Sequence, residues 1–194
     1  MVQHCYIVGI FTEHSMLLSY NRLVKLVEDE VITPVEHDQI NSASIDVTLD
    51  KTILLEGDSF VPVDLAKKKN IDVIRYEMPK DGYVLAPGAF ILASTIEVFN
   101  LPNNISSEYK LKSSMARNGL EHLNAGWADA GWNGSKLTLE LKNMTKSHYL
   151  QIKQGMRIGQ MVFFEHEPVP EDRSYAARGQ YNGQEEVTAS KGIR

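Results

Sequence analysis

Apolar and polar residues alternate with a period of two along several short stretches of the chain. The stretch 45–49 alternates cleanly, 137–141 reads Leu-Thr-Leu-Glu-Leu, and 84–99 alternates less regularly. This period is typical of half-buried strands, and turn-forming Gly, Pro, Asn and Asp residues separate the stretches. Many short strands with regular turns predict a mainly β protein, built as a β-sandwich or a distorted barrel.

Two segments depart from the strand pattern. In the first, Ser19 precedes apolar residues spaced as i, i+3 and i+4 (Leu23, Leu26 and Val27), which predicts a short N-terminal helix. Pro34 is expected to end this helix. In the second, residues 113–120 predict a helical turn that Gly119 terminates.

The chain has 194 residues, which fits one domain with a core of its own. We expect residues 1–15 to form an N-terminal extension and residues 16–164 to form the β domain. Residues 165–194 are rich in Pro, Glu, Gly, Gln and Arg and show no apolar period. This composition predicts a mobile tail.

Charge and composition exclude several classes of function. The formal net charge is -5, so the chain lacks the basic field that duplex-binding proteins use. Its apolar stretches fall short of the ~20 residues that span a bilayer. The single cysteine, Cys5, excludes an intrachain disulfide and fits a reducing compartment. We therefore expect a cytoplasmic protein that binds neither nucleic acid nor membrane.

The familiar catalytic motifs are also missing. Zinc deaminases combine a His or Cys with two further Cys ligands, which one cysteine cannot supply. The chain has no H-E-x-x-H spacing, no phosphate-binding Walker A loop, no G-x-S-x-G turn and no G-x-G-x-x-G segment.

Three less familiar clusters carry the candidate chemistry. Residues 112–117 hold two cations and two hydroxyls, which are donors suited to phosphate, although such turns are more often solvated caps. Residues 124–132 combine small residues with two tryptophans and suit either a flat ligand or a hairpin loop with a tryptophan core. Glu140 lies on the strand face opposite the leucines and acts as a base only if that face is covered.

Six segments, in this order along the chain, resemble the motifs of the dCTP deaminase/dUTPase family. They span about residues 18–190 and lie at 40–49, 85–92, 112–120, 125–140, 155–160 and 180–184. By this resemblance the chain is identified as a member of that family. The resemblance implies a distorted β-barrel or jelly-roll of the dUTPase-like type, assembled as a homotrimer with active sites between subunits.

The same resemblance implies zinc-independent deamination of dCTP to dUTP and ammonia. Glu140 would activate a water that attacks C4 of cytosine, and Arg117 and Ser113 would position that water and the departing amine. Mg²⁺ would enter on the triphosphate rather than in a protein cage. The residues implied to bind the nucleotide are Lys112, Ser114 and Gln160 at the triphosphate, Asn124, Ala125 and Asp129 at the sugar and base, and Tyr175, Gln180, Tyr181 and Gln184 in a tail that closes as a lid.

Four positions depart from the family pattern. One additional residue lies between Gly134 and Glu140, and we place it in a longer turn at 133–136, because a slip within the strand would turn Glu140 to the other face. Asn124 replaces a threonine tied to feedback by dTTP, and Gln180 replaces a lysine. Residues 1–15 precede the usual start of the family.

Three alternatives remain open. A bifunctional enzyme would convert dCTP to dUMP and diphosphate, and the Gly126-Trp127 pair resembles such members. A dUTPase would use Asp129 alone and has no need of Glu140. A nucleotide-binding homologue without activity is disfavoured because Lys112, Ser113 and Glu140 are all present.

Overall fold

The computed structural model describes residues 16–67 and 69–192, and strands dominate its regular structure. The strands are β1 (Ile32–Thr33), β2 (Ile45–Thr48), β3 (Thr52–Glu56), β4 (Val73–Glu77), β5 (Tyr83–Leu85), β6 (Phe90–Phe99), β7 (Ile105–Leu111), β8 (Leu120–His122), β9 (Trp127–Ala128), β10 (Ser135–Asn143), β11 (Leu150–Ile152) and β12 (Arg157–Glu165). The helices are α1 (Tyr20–Glu28), α2 (Ser113–Ala116) and α3 (Tyr175–Arg178). The mainly β class and the short N-terminal helix are confirmed, whereas the predicted extension at 1–15, with Cys5, lies outside the described residues.

The strands divide among three antiparallel sheets. The largest has the order β4–β3–β6–β10–β8, with β1 also paired to β6. A second sheet has the order β2–β12–β7–β9, and β5 pairs with β11 in a two-stranded ribbon. Leu139 and Ile53 of the first sheet share one core with Val47 and Phe163 of the second. The described strands therefore form open sheets around a common core and not one closed barrel.

Strand β10 keeps its alternation without interruption. Its odd-numbered residues, Ser135 to Asn143, are buried, and the residues between them are half-buried. The predicted leucine face and the opposite placement of Glu140 are thus confirmed. The pairing of β10 with β6 is irregular at one point. Lys136 pairs with Val98 and Thr138 pairs with Ser94, so the additional residues at this point belong to β6 and not to β10. The longer turn predicted at 133–136 is therefore wrong, because Ser135 and Lys136 already pair with β6, and a regular strand from Ser135 onward sets the face that Glu140 occupies.

Helix α1 buries Leu23 and Leu26, as the spacing predicts. The prediction that Pro34 ends this helix is wrong. The helix ends at Glu28, and Glu30 adopts a φ of 55°, which turns the chain into β1 before Pro34 is reached. This left-handed residue, and not the proline, breaks the helix.

The helical turn predicted at 113–120 is confirmed as α2. Gly119 has a φ of 83°, and its amide donates to the carbonyl of Ala116 at 2.9 Å. A Cβ at this position would lie 2.6 Å from Cγ2 of Thr145. Glycine is therefore required here both by the backbone angle and by the close approach of the neighbouring loop.

Residues 165–192 follow a defined path, although their composition predicts a mobile tail. Ser174, Gln184 and Val187 are buried, and Val187 packs with Leu54 and Leu92 in a small apolar cluster of its own. Within the described ranges the longest helix has nine residues, so no described helix is long and apolar enough to cross a membrane.

Candidate active site

A cavity of about 560 Å³ opens beside the face of β10 that carries Glu140. Strands β6 and β10 form one wall, and Ala125, Trp127 and Trp132 contribute to another. Tyr181 and Gln184 of the tail complete the lining. Its volume lies in the range of small-molecule sites, and its walls are mostly apolar.

Glu140 meets a buried histidine at this wall. Oε2 of Glu140 lies 3.2 Å from Nε2 of His122, and the two side chains are 27% and 4% exposed. The two atoms are not aligned as a hydrogen bond, and neither has a partner among the described residues. No sequence motif assigns a function to His122. Its only local signal is that it shares the buried face of β8 with Leu120.

The loop between β8 and β9 brings the backbone close to the core. Asn124 adopts a φ of 60°, and Ala125 lines the cavity. Gly126 is buried, and a Cβ on it would lie 2.7 Å from Cβ of Tyr109. Glycine at this position therefore permits the close approach that places Ala125 at the cavity.

Asp129 is held by the tryptophan two residues before it. Nε1 of Trp127 donates to Oδ1 of Asp129 at 2.9 Å, and the indole stacks on Phe164 with ring centroids 5.9 Å apart. Asp129 lines a second cavity of about 420 Å³. Tyr175 and Tyr181 line both cavities, so the two cavities are neighbours.

The predicted tail residues lie at these cavities. Nε1 of Trp132 donates to the carbonyl of Tyr181 at 2.9 Å, and the amide of Tyr181 donates to the Tyr175 hydroxyl at 3.3 Å. Burial raises the pKa of the Tyr175 hydroxyl. The amide of Gln184 donates to Oγ of Ser135 at 3.2 Å, while Gln180 lines only the second cavity. The tail is thereby fixed against the start of β10.

Lys112 belongs to a second polar group. Nζ of Lys112 donates to Oδ2 of Asp46 at 2.6 Å, and the Asp46 side chain is only 5% exposed. Nδ2 of Asn41 donates to the other oxygen of Asp46 at 2.9 Å. Gln160 lies opposite Asp46 in the pairing of β12 with β2. Asp46 lies in the strand pattern at 45–49 and in the family-like segment 40–49, but neither pattern identifies it as the partner of Lys112.

Within one chain, only some of the predicted site residues line the Glu140 cavity. Ser113, Ser114 and Arg117 are exposed on and beside α2. The predicted residues absent from the described lining of the Glu140 cavity are Lys112, Ser113, Ser114, Arg117, Asn124, Asp129, Gln160 and Gln180. Among residues 16–67 and 69–192 there is no group of three or more His, Cys, Asp or Glu side chains arranged to hold a metal ion.

Comparison with known proteins places this chain in a family. Residues 17–166 match the family described as dCTP deaminase-like. A protein of Persephonella marina named "dCTP deaminase, dUMP-forming" is 35% identical over 179 residues, which cover 91% of this chain and 97% of that protein. A protein of Streptomyces coelicolor with the same name is 36% identical over 170 residues, covering 82% and 85%. The chain belongs to the dCTP deaminase-like family, which confirms the resemblance.

A solved structure shares the fold. The crystal structure of 2'-deoxycytidine 5'-triphosphate deaminase from Agrobacterium tumefaciens superposes with a TM-score of 0.62 at 21% identity. The match covers 77% of this chain and 48% of that chain, so this protein corresponds to about half of its length. The likeness supports the observed arrangement of strands.

Proposed function

We propose that this protein is a hydrolase that converts dCTP to dUMP, releasing ammonia and diphosphate. The sequence motifs favour dUTP as the product, with dUMP as the alternative. The relatives from Persephonella marina and Streptomyces coelicolor are both named as dUMP-forming, which favours the alternative.

Glu140 serves as the base for deamination. Its carboxylate lies half-buried in a mostly apolar wall and faces a cavity of nucleotide size, where it takes a proton from water. The water oxygen adds to C4 of cytosine, and Glu140 passes the proton to N3. The C4 hydroxyl then gives its proton, by way of Glu140, to the exocyclic nitrogen as the bond from C4 to that nitrogen breaks, so ammonia leaves and C4 becomes a carbonyl carbon of uracil. This placement of Glu140 is the observation that carries the proposal.

Asp129 serves the second hydrolysis. Its carboxylate takes a proton from a water that attacks the α-phosphorus of dUTP, the bond to the bridging oxygen breaks, and diphosphate leaves. The position of Asp129 at a neighbouring cavity, with its carboxylate held by Trp127, supports this assignment.

The remaining residues come from a second copy of the chain. Lys112, Ser114 and Gln160 bind the triphosphate, and Arg117 and Ser113 orient the water and the leaving amine. In a homotrimer these residues of one subunit complete the cavity of its neighbour. Mg²⁺ enters as part of the nucleotide substrate, and no transition metal takes part.

The products of Mg²⁺–dCTP turnover test the proposal. Ammonia and diphosphate should appear in equal amounts, with dUMP as the nucleotide product. Ammonia alone would identify a deaminase that forms dUTP. Diphosphate from dUTP without ammonia from dCTP would identify a dUTPase, and neither product would leave a nucleotide-binding protein. Full turnover by protein free of zinc would support the metal-free assignment.

A further inference from the structure

His122 occupies a fixed position beside Glu140. It is the last residue of β8, and it pairs with Leu141, the residue after Glu140, in the ladder between β8 and β10. The amide of Leu123 donates to the carbonyl of Glu140 at 3.1 Å, so the ladder continues past both residues. The ladder therefore fixes the backbone of His122 beside that of Glu140 and Leu141, and the 3.2 Å separation of Nε2 and Oε2 shows that the side chains of His122 and Glu140 meet.

The imidazole of His122 also packs against Tyr109, a residue of β7 in the other sheet. Its ring lies against the ring of Tyr109, with centroids 4.5 Å apart and an interplanar angle of 52°. Tyr109 is itself fixed, because a Cβ on Gly159 would lie 2.1 Å from its ring. A buried imidazole packed in this way has little freedom to turn, so its nitrogen keeps its direction toward Glu140.

Two orphaned atoms face each other in this arrangement. Nε2 of His122 and Oε2 of Glu140 are buried, lie 3.2 Å apart and have no other hydrogen-bonding partner among the described residues. Buried polar atoms are rarely left unpaired. A proton on Nε2 satisfies both atoms at once, after a small adjustment of the carboxylate.

We propose that His122 is a positioning residue for Glu140. Its Nε2–H donates to Oε2 and fixes the carboxylate, so that Oε1 is left to take the proton from the water that attacks C4. His122 keeps its proton throughout and does not touch the substrate. This inference rests on the proposed function of Glu140 in deamination. It assigns His122 no part in diphosphate release, because Asp129 is held separately by Trp127.

Two substitutions separate positioning from simple packing. His122→Phe keeps an aromatic ring against Tyr109 but removes the donor, and His122→Gln keeps an N–H donor without the ring. The matched control is His148→Gln, which changes an exposed histidine outside the cavity lining. For each variant, kcat and KM are measured for ammonia release from dCTP and for diphosphate release from dUTP.

We expect His122→Phe to lower kcat for ammonia release by about 10–100-fold, less than the ~10²–10⁴-fold typical of losing the base itself. KM for dCTP and the hydrolysis of dUTP should stay within about twofold of wild type, because ground-state binding and Asp129 are untouched. His122→Gln should recover most of the lost kcat. The retained hydrolysis of dUTP also shows that the variant is folded.

Three outcomes would overturn the assignment of His122. They are unchanged ammonia release in His122→Phe, an equal loss of both reactions, and a loss that His122→Gln does not restore. A wild-type protein that releases no ammonia from dCTP would instead overturn the proposed function, and the assignment with it. If the wild-type protein releases ammonia but no diphosphate, the dUTP measurements drop out. The kcat and KM for dCTP, and the recovery of kcat in His122→Gln, then decide the assignment of His122.

Discussion

Glu140 differs from the other half-buried residues of β10 in the side chains and the cavity that it contacts. Thr138 and Lys142 share its face of the strand, but Lys142 does not line the cavity. Glu140 combines access to the cavity with a buried neighbour, His122, on the adjacent strand. These contacts, and not its position on the strand alone, distinguish it from an ordinary solvated carboxylate.

Glu140→Gln tests the base directly. The substitution keeps the shape of the side chain but removes its ability to accept a proton, so ammonia release from dCTP should fall by ~10²–10⁴-fold. Binding of Mg²⁺–dCTP, measured by calorimetry, should stay close to that of wild type. Lys142→Gln is the matched control on the same face and should leave turnover unchanged. Near-normal turnover in Glu140→Gln would assign the base to another residue.

Trp127→Phe tests whether the indole holds Asp129 for the second hydrolysis. Phenylalanine keeps an aromatic ring near Phe164 but removes the N–H that donates to Oδ1 of Asp129. A hydrogen bond to a charged group contributes about 1.5–3 kcal/mol, and because this pair is exposed we expect the low end, about a tenfold fall in diphosphate release. Ammonia release should be retained, so the product shifts from dUMP toward dUTP.

The ratio of dUMP to dUTP formed from dCTP reports the effect of Trp127→Phe on the second hydrolysis. Asp129→Asn serves as the matched control, since it removes the base and should stop diphosphate release while ammonia release continues. An unchanged ratio of dUMP to dUTP in Trp127→Phe would show that the indole does not hold Asp129 for catalysis. A parallel fall in both reactions would point to a packing defect of β9.

At the scale of elements, the tail is attached by a few specific contacts. Val187 packs with Leu54 and Leu92, and Arg75 pairs with Glu186 at the surface. Arg75 holds the pKa of the Glu186 carboxyl below its usual range. Both side chains of this ion pair are about half exposed, and exposed pairs contribute little to stability. The apolar contact of Val187 therefore dominates the docking of this part of the tail.

Val187→Asp should undock the tail and weaken nucleotide binding. Burying a valine contributes about 1.5 kcal/mol or more, so losing this contact should raise KM for dCTP about tenfold or more. The melting temperature should change little, because the small cluster is separate from the main core. Glu185→Gln, at an exposed neighbouring position, should match wild type. A large fall in melting temperature without a change in KM would show that the contact stabilises the domain and does not serve the site.

Local patterns predicted some elements and not others for physical reasons. The leucines of β10 and the turn ending at Gly119 depend on residues close in sequence, and both were predicted correctly. The end of α1 was not, because a left-handed Glu30 gives no signal as strong as Pro34. The path of the tail depends on Val187 meeting residues more than ninety positions away.

The residues of the candidate site could likewise be predicted only where a local motif marks them. Glu140 and the tail residues Tyr181 and Gln184 could be found from their motifs, and they do line the cavity. His122 could not, because its contact with Glu140 crosses from one strand to the next. The pattern of a single strand carries no information about which residue lies beside it.

In the whole molecule, several predicted site residues of one chain do not line the cavity that Glu140 lines. Glu140 lines the cavity, while Arg117 and Lys112 are not among its lining residues. In the proposed function, a second copy of the chain supplies Arg117 and Lys112 to the nucleotide at Glu140. A cyclic homotrimer achieves this with one repeated interface. Light scattering of the purified protein should therefore give a mass of about three chains.

Mixing two inactive variants tests the shared site. Glu140→Gln and Arg117→Gln should each be nearly inactive alone. If each site takes Glu140 from one subunit and Arg117 from its neighbour, coexpressed chains should form about one intact site in four in randomly mixed trimers. Ammonia release should then recover to about a quarter of wild type. The control coexpresses Glu140→Gln with a chain that carries both Glu140→Gln and Arg117→Gln. These mixed trimers contain no Glu140, so they can form no intact site and should stay inactive. Trimers shown to contain both chains, yet without recovered activity, would place Glu140 and Arg117 of the same subunit at each site.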